Sequence, residues 1–101
     1  MQHLVILRLK PGATEEAQAK LRRAEVEAIW RLIASGTLRS IHFFSGEGHG
    51  AVLNVETPDR NTAEAAVRQL PMVEAGLLHP EILTLTPFTG LAALFAAPSL
   101  A

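Results

Sequence analysis

Gly36-Thr-Leu-Arg-Ser-Ile-His-Phe-Phe-Ser-Gly-Glu-Gly-His-Gly-Ala-Val-Leu-Asn-Val-Glu-Thr57 reads as two apolar strands, Leu38 to Ser45 and Ala51 to Glu56, joined by a glycine-rich turn. The three glycines of Gly46-Glu-Gly-His-Gly50 supply backbone angles that other residues avoid. His42 and Asn54 stand among apolar neighbours, where a polar side chain needs a hydrogen-bond partner. A purely structural hairpin does not call for them, and they point to a lined cavity.

Upstream, Gln2 to Leu9 is a strand with apolar residues in both alternating sets: His3, Val5, Leu7 and Leu9 on one face, Leu4 and Ile6 on the other. Lys10-Pro-Gly-Ala-Thr14 forms a turn, and Thr14 is placed to cap a helix whose first residues, Glu15 and Glu16, favour the positive end of its dipole. From Glu15 to Ala34 the positions Ala17, Leu21, Ala24, Ala28 and Leu32 recur at helical spacing, flanked by Val26, Ile29 and Ile33, with Lys20, Arg22, Arg23 and Glu27 opposite. Trp30 falls in this helix as a core or interface residue. Ser35-Gly36 ends it, since glycine readily takes a left-handed C-terminal conformation.

Downstream, Pro58-Asp59 breaks the second hairpin strand, and Asn61 or Thr62 can cap a helix to Leu70 with Ala63, Ala66, Val67 and Leu70 inward. Leu70-Pro-Met72 stops that helix, a loop follows through Gly76, and His79 to Thr86 alternates as a fourth strand. The order strand, helix, strand, strand, helix, strand is that of a ferredoxin-like α+β fold with a four-stranded antiparallel sheet. Two helices cover one sheet face. His3, Val5, Leu7, Phe44, Val52, Leu83 and Leu85 can all point to the other, so a second sheet must cover it, and another copy of the chain is the simplest source. Two such sheets packed face to face make a dimeric α+β barrel.

The expected domain spans residues 1–88, and residues 89–101 form an apolar tail packed on its own or a neighbouring subunit. With 101 residues, 49% hydrophobic and 19% charged, there is material for one core and no second. Nine Lys and Arg against ten Asp and Glu give a formal charge of -1, which excludes the basic footprint of a nucleic-acid binder. Absent cysteines rule out disulfides and thiolate metal sites, and no apolar run approaches the roughly 20 residues of a membrane span. No membrane partner and a cytoplasmic location are expected. The four histidines include no pair four residues apart on a helix, so no metal site is expected.

If Ala51, Leu53 and Val55 face the helices, alternation sends Val52, Asn54 and Glu56 into the barrel, and likewise Ser40, His42 and Phe44. His3 and Glu81 can join them from the first and fourth strands. Histidine titrates near neutrality, a carboxyl in an apolar cavity is pushed toward the useful range, and asparagine can hold a carbonyl or enolate oxygen. The expected site therefore has His42 as acid or base, His3 or Glu81 completing the pair, Asn54 orienting ligand oxygen, and Phe44 on the wall. Arg39 is either a clamp for a substrate carboxylate or a structural salt bridge. His49, in the turn, is expected to be solvated.

From about Glu25 to Phe88 the chain resembles the muconolactone isomerase-like family of dimeric α+β barrels. The resemblance lies in Gly36-Thr-Leu-Arg39, Leu53-Asn-Val-Glu-Thr57, Gln69-Leu-Pro-Met72 and Leu85-Thr-Pro-Phe88. It departs at Gly46-Glu-Gly-His-Gly50, where bulkier and aromatic residues are expected, and in the added tail. The resemblance implies a cofactor-free isomerase that moves a double bond in a small organic acid or lactone by proton transfer, assembled as a homodimer or higher oligomer. A non-catalytic small-ligand-binding barrel and a cofactor-free oxygenase of the same fold are the alternatives.

Overall fold

The computed structural model describes residues 1–44 and 49–96. Its elements run β1 (Gln2–Leu9), α1 (Glu15–Ala34), β2 (Leu38–Phe43), β3 (Gly50–Glu56), α2 (Arg60–Arg68), α3 (Pro71–Glu74) and β4 (Leu78–Leu85), followed by a 3-10 turn over Thr89–Leu94. All neighbouring strands are antiparallel, in the order β2-β3-β1-β4. This is the expected ferredoxin-like α+β arrangement. The expected extension of the second strand to Ser45, the turn glycines Gly46 and Gly48, and tail residues 97–101 lie outside the described residues.

Local chemistry sets the element ends. The Thr14 hydroxyl accepts the Ala17 amide at 3.1 Å and starts α1, and Gly36 closes it at a φ of 81°. α2 starts earlier than expected because Asp59, not Asn61 or Thr62, is the cap: its carboxylate accepts both the amide and the hydroxyl of Thr62. Those bonds hold the Asp59 carboxyl below its ordinary range. Pro71, expected as a stop, opens the one-turn helix α3, because at the first helical position its missing N–H costs nothing. Gly50 is required for close approach, since a Cβ there would strike the Leu7 carbonyl.

The core lies between the sheet and the helices. Val5 and Leu7 of β1 and Leu53 and Val55 of β3 pack with Ala63, Val67 and Leu70, backed by Ile29 and Leu32 of α1. β1 pairs Val5 with Leu53 on one side and Ile82 on the other, which sets one dry face across three strands. The hairpin alternation is as expected: Ala51, Leu53 and Val55 face the helices, and Val52, Asn54 and Glu56 face away.

The face assigned to the odd residues of β1 needs correction. His3, Val5 and Leu7 lie beneath the helices, fully or almost fully buried, and Leu4 and Ile6 take the opposite face. Being central, β1 must supply whichever set matches the inward residues of both neighbours. The stripe of α1 is corrected similarly: Ala24 is exposed, and Glu25 occupies the inward position between Leu21 and Ala28. Trp30 is 63% exposed on this chain.

His3 is fully satisfied where it lies. Its Nε2 stands 3.0 Å from the Thr57 hydroxyl, which donates its own hydrogen to the Asp59 carbonyl, so Nε2 is the donor. Nδ1 stands 3.1 Å from the Thr84 hydroxyl, which also accepts from Arg60 at 3.3 Å. The ring thus ties β1 to β4 and to the start of α2. His3→Ala strands two threonine hydroxyls and leaves a void, and should lower unfolding free energy by about 2 to 4 kcal/mol. Urea denaturation of the variant checks this; an unchanged midpoint would refute the structural role.

Candidate functional site

The open sheet face holds three of the expected site residues but spreads them apart. His42 of β2 pairs with Val52, Val52 with Ile6, and Ile6 with Glu81 of β4, so His42 and Glu81 occupy the two edge strands of one row. Three strand spacings separate them, about 14 Å. Within one chain they cannot share a proton. Glu81 is instead held by Arg8 at 3.0 Å, and His42 is exposed. His3, the other expected partner, is on the far side of the sheet.

Asn54 sits in the next row, opposite Ser40 and Leu4. Its Oδ1 is buried and has no hydrogen-bond partner among the described residues. Arg39 is exposed where the β2 register shifts between Leu38 and Ser40, and makes no ion pair among the described residues. Phe44 faces a different space.

That space is a cleft of about 640 Å³ on the helix side, between the first half of α1 and the ends of β1, β2 and β3. Its walls are largely apolar: Leu7, Leu9, Ile29, Ile41, Phe44 and Met72. Five polar side chains line it as well, and they are graded in depth. Glu15 and Arg22 are exposed and bonded to each other at 2.7 Å, Gln18 is half-buried, His49 is exposed at the loop end, and Glu25 is buried. His49 is exposed, as expected, and also lines the cleft mouth.

Glu25 is the chemically distinctive group. It is 8% exposed, and its Oε1 accepts the Met72 amide at 3.1 Å, one of the donors left free at the start of α3. Its other oxygen takes no hydrogen bond among the described residues. Burial in this apolar setting raises its pKa above the usual glutamate value, and the Met72 bond opposes that rise only in part. A cleft carboxyl with a raised pKa is a candidate general acid or base.

Glu25 escapes a reading of the sequence in which charge marks the outer face of a helix. The available signal was spacing: Leu21, Glu25, Ala28 and Leu32 recur at intervals of four, three and four, with a single carboxylate inside an apolar stripe. Among the described residues, no group of three or more His, Asp and Glu gathers as metal ligands, and no helix is long and apolar enough to cross a membrane.

Comparison with solved structures matches this architecture to small ligand-handling proteins. The chain superposes on the 5-chloro-2-hydroxyhydroquinone dehydrochlorinase TftG of Burkholderia phenoliruptrix AC1100, solved with 2,5-dihydroxybenzoquinone, with a TM-score of 0.71 at 18% identity over 85% of this chain and 94% of that one. It superposes on muconolactone isomerase with a TM-score of 0.70 at 20% identity, over 88% and 92% of the two chains. The protein has the muconolactone isomerase fold. No family model matches the sequence, and no curated protein matches it.

Because burial raises the Glu25 pKa, the folded protein holds that proton more tightly than the unfolded chain does. The resulting stabilisation is complete below the ordinary glutamate range and is lost as pH rises through the raised value of Glu25 itself. Glu25→Gln cannot ionise yet can still accept from Met72. Urea unfolding at a series of pH values should show the variant gaining on the wild type as pH rises through that window; a pH-independent difference would contradict the raised pKa.

Proposed function

We propose that the protein is a cofactor-free acid-base catalyst of the isomerase type, acting on a small cyclic organic acid, lactone or quinol held in the Glu25 cleft. The observation that carries the reading is the buried carboxyl of Glu25 in an apolar cleft, its pKa raised by that burial. Ionised Glu25 takes a proton from the carbon next to a substrate carbonyl, and the C–H electron pair moves into an enolate. The carboxyl then returns that proton to a different carbon of the conjugated system, which shifts the double bond. The water-poor walls make the ionised carboxyl a stronger base, and Arg22 can exchange Glu15 for a substrate carboxylate at the rim. The structural likenesses to an isomerase and to a quinone-bound dehydrochlorinase support a small oxygenated ring as ligand.

The bond from Met72 favours a second reading, in which Glu25 serves only to secure α3 and the cleft binds ligand without turning it over. Turnover of muconolactone and related enol-lactones, followed by absorbance, separates the two. Glu25→Gln preserves the Met72 bond, so on the catalytic reading kcat falls by roughly 10²- to 10⁴-fold, while binding of 2,5-dihydroxybenzoquinone changes little. Turnover insensitive to Glu25→Gln but abolished by His42→Ala would move the site to the open sheet face.

The same reading includes a homodimer. Leu4, Ile6 and Val52 are only partly covered on the open face, Leu83 and Leu85 are 44% and 41% exposed, and the Asn54 Oδ1 lies among them unpaired. A second sheet packed there closes the barrel and removes this surface from water, at up to about 1.5 to 3 kcal/mol for each fully buried large side chain. Light scattering should give a dimer or a multiple of one at micromolar concentration. Leu83→Asp should shift the mass downward with the fold retained; a wild-type monomer would sink the barrel.

A further inference from the structure

The Glu25 cleft has two lips of opposite chemical character. One belongs to the first half of α1, where Glu15, Gln18 and Arg22 share the face that carries Glu25. The other belongs to the β2–β3 hairpin and is aromatic. Phe43 pairs with Ala51, whose side chain faces the helices, so the Phe43 ring stands on the helix side of the sheet. β2 is an edge strand, and no helix among the described residues covers this ring: Phe43 lines the cleft and is 88% exposed. It adds nothing to the core and is available to a ligand.

Phe44 continues the same lip. Its amide donates to the Gly50 carbonyl at 3.1 Å, and its ring lies so close over Gly50 that a Cβ there would stand 2.7 Å from it. The absent side chain of Gly50 therefore makes room for the Phe44 ring in the cleft wall. The Leu9 amide donates to the His49 carbonyl at 3.0 Å, which anchors this lip to β1. Size points the same way. The cleft holds about 640 Å³, whereas a cavity of about 150 Å³ is enough to hold a six-carbon ring. A single lactone or quinol ring placed at Glu25 leaves the aromatic lip unfilled.

We propose that the cleft selects an acid whose reactive ring carries an apolar ring substituent, such as a phenyl group. The acidic group lies at Arg22, the reactive ring at Glu25, and the substituent against Phe43 and Phe44, which are the specificity-determining residues. Aromatic side chains bury a large area and favour offset or edge-on contact with another ring. The inference rests on the proposed function only in placing the reactive ring at Glu25.

2,5-Dihydroxybenzoquinone and its 3-phenyl derivative share one acidic ring and differ only in the substituent. Isothermal titration of the full-length protein is expected to give the phenyl derivative a Kd at least about tenfold lower. In Phe43→Ala/Phe44→Ala that advantage is expected to fall to within about twofold, with binding of the parent compound unchanged. Neither ring belongs to the buried core, so the fold is retained. Arg22→Gln is expected to weaken both compounds by the same factor. Equal binding of the two compounds by the wild type would overturn the proposal. So would an advantage that survives the loss of both rings, or binding of the phenyl derivative that is insensitive to Arg22→Gln. These are binding measurements, separate from turnover. If Glu25→Gln abolishes turnover but the wild type shows no phenyl advantage, this inference alone fails; a phenyl advantage with turnover insensitive to Glu25→Gln overturns the catalytic reading alone.

Discussion

The central position of β1 is the constraint on which the other features depend. Flanked by β3 and β4, this strand has no free edge, and its inward residues must match Leu53 on one side and Ile82 on the other. Val5 fits this without cost. His3, in the same alternating set, is drawn into the dry layer with it, and Thr57 and Thr84 supply the two partners that a buried imidazole requires. The polar trio is a consequence of register. The same register sends Leu4 and Ile6 outward, leaving apolar side chains on a face that no helix among the described residues covers.

The order of elements, the limits of α1, its glycine stop and the alternation of the hairpin were all legible in the sequence, because each rests on a local, repeated signal. The inward face of β1 was not. Both of its sets contain apolar residues, and only pairing with two neighbours, a long-range fact, decides between them. His3 also misdirected the reading, since a histidine in one set made that set resemble a site. The helix α3 was hidden for a related reason: Pro71 both ends one helix and begins the next, and four residues carry no periodicity.

Site residues were less legible than the fold. His42, Asn54 and Glu81 share the face that alternation assigns them, yet sharing a face of a four-stranded sheet does not bring edge residues into contact. Sheet width set that limit. Glu25 lay in plain view within an amphipathic helix, but a rule that reads every charge as solvent-facing discards a carboxylate whose burial raises its pKa.

On the proposed function, Glu25 joins stability and chemistry in one side chain. One oxygen satisfies the start of α3, which fixes the carboxyl's orientation and holds Met72 at the cleft wall. The other oxygen takes no partner among the described residues, so there the group is positioned but not paired with a cation. A buried carboxylate without a cation is unfavourable, and burial accordingly raises the Glu25 pKa. On the proposed function, that shift suits a group that must take up a proton and return it. An arginine placed deep enough to pair with Glu25 would favour the charged form and oppose that rise, weakening the base. Arg22 instead stays at the rim with Glu15, a separation of charge by depth that suits a ligand with an ionic end outside and a reactive carbon within.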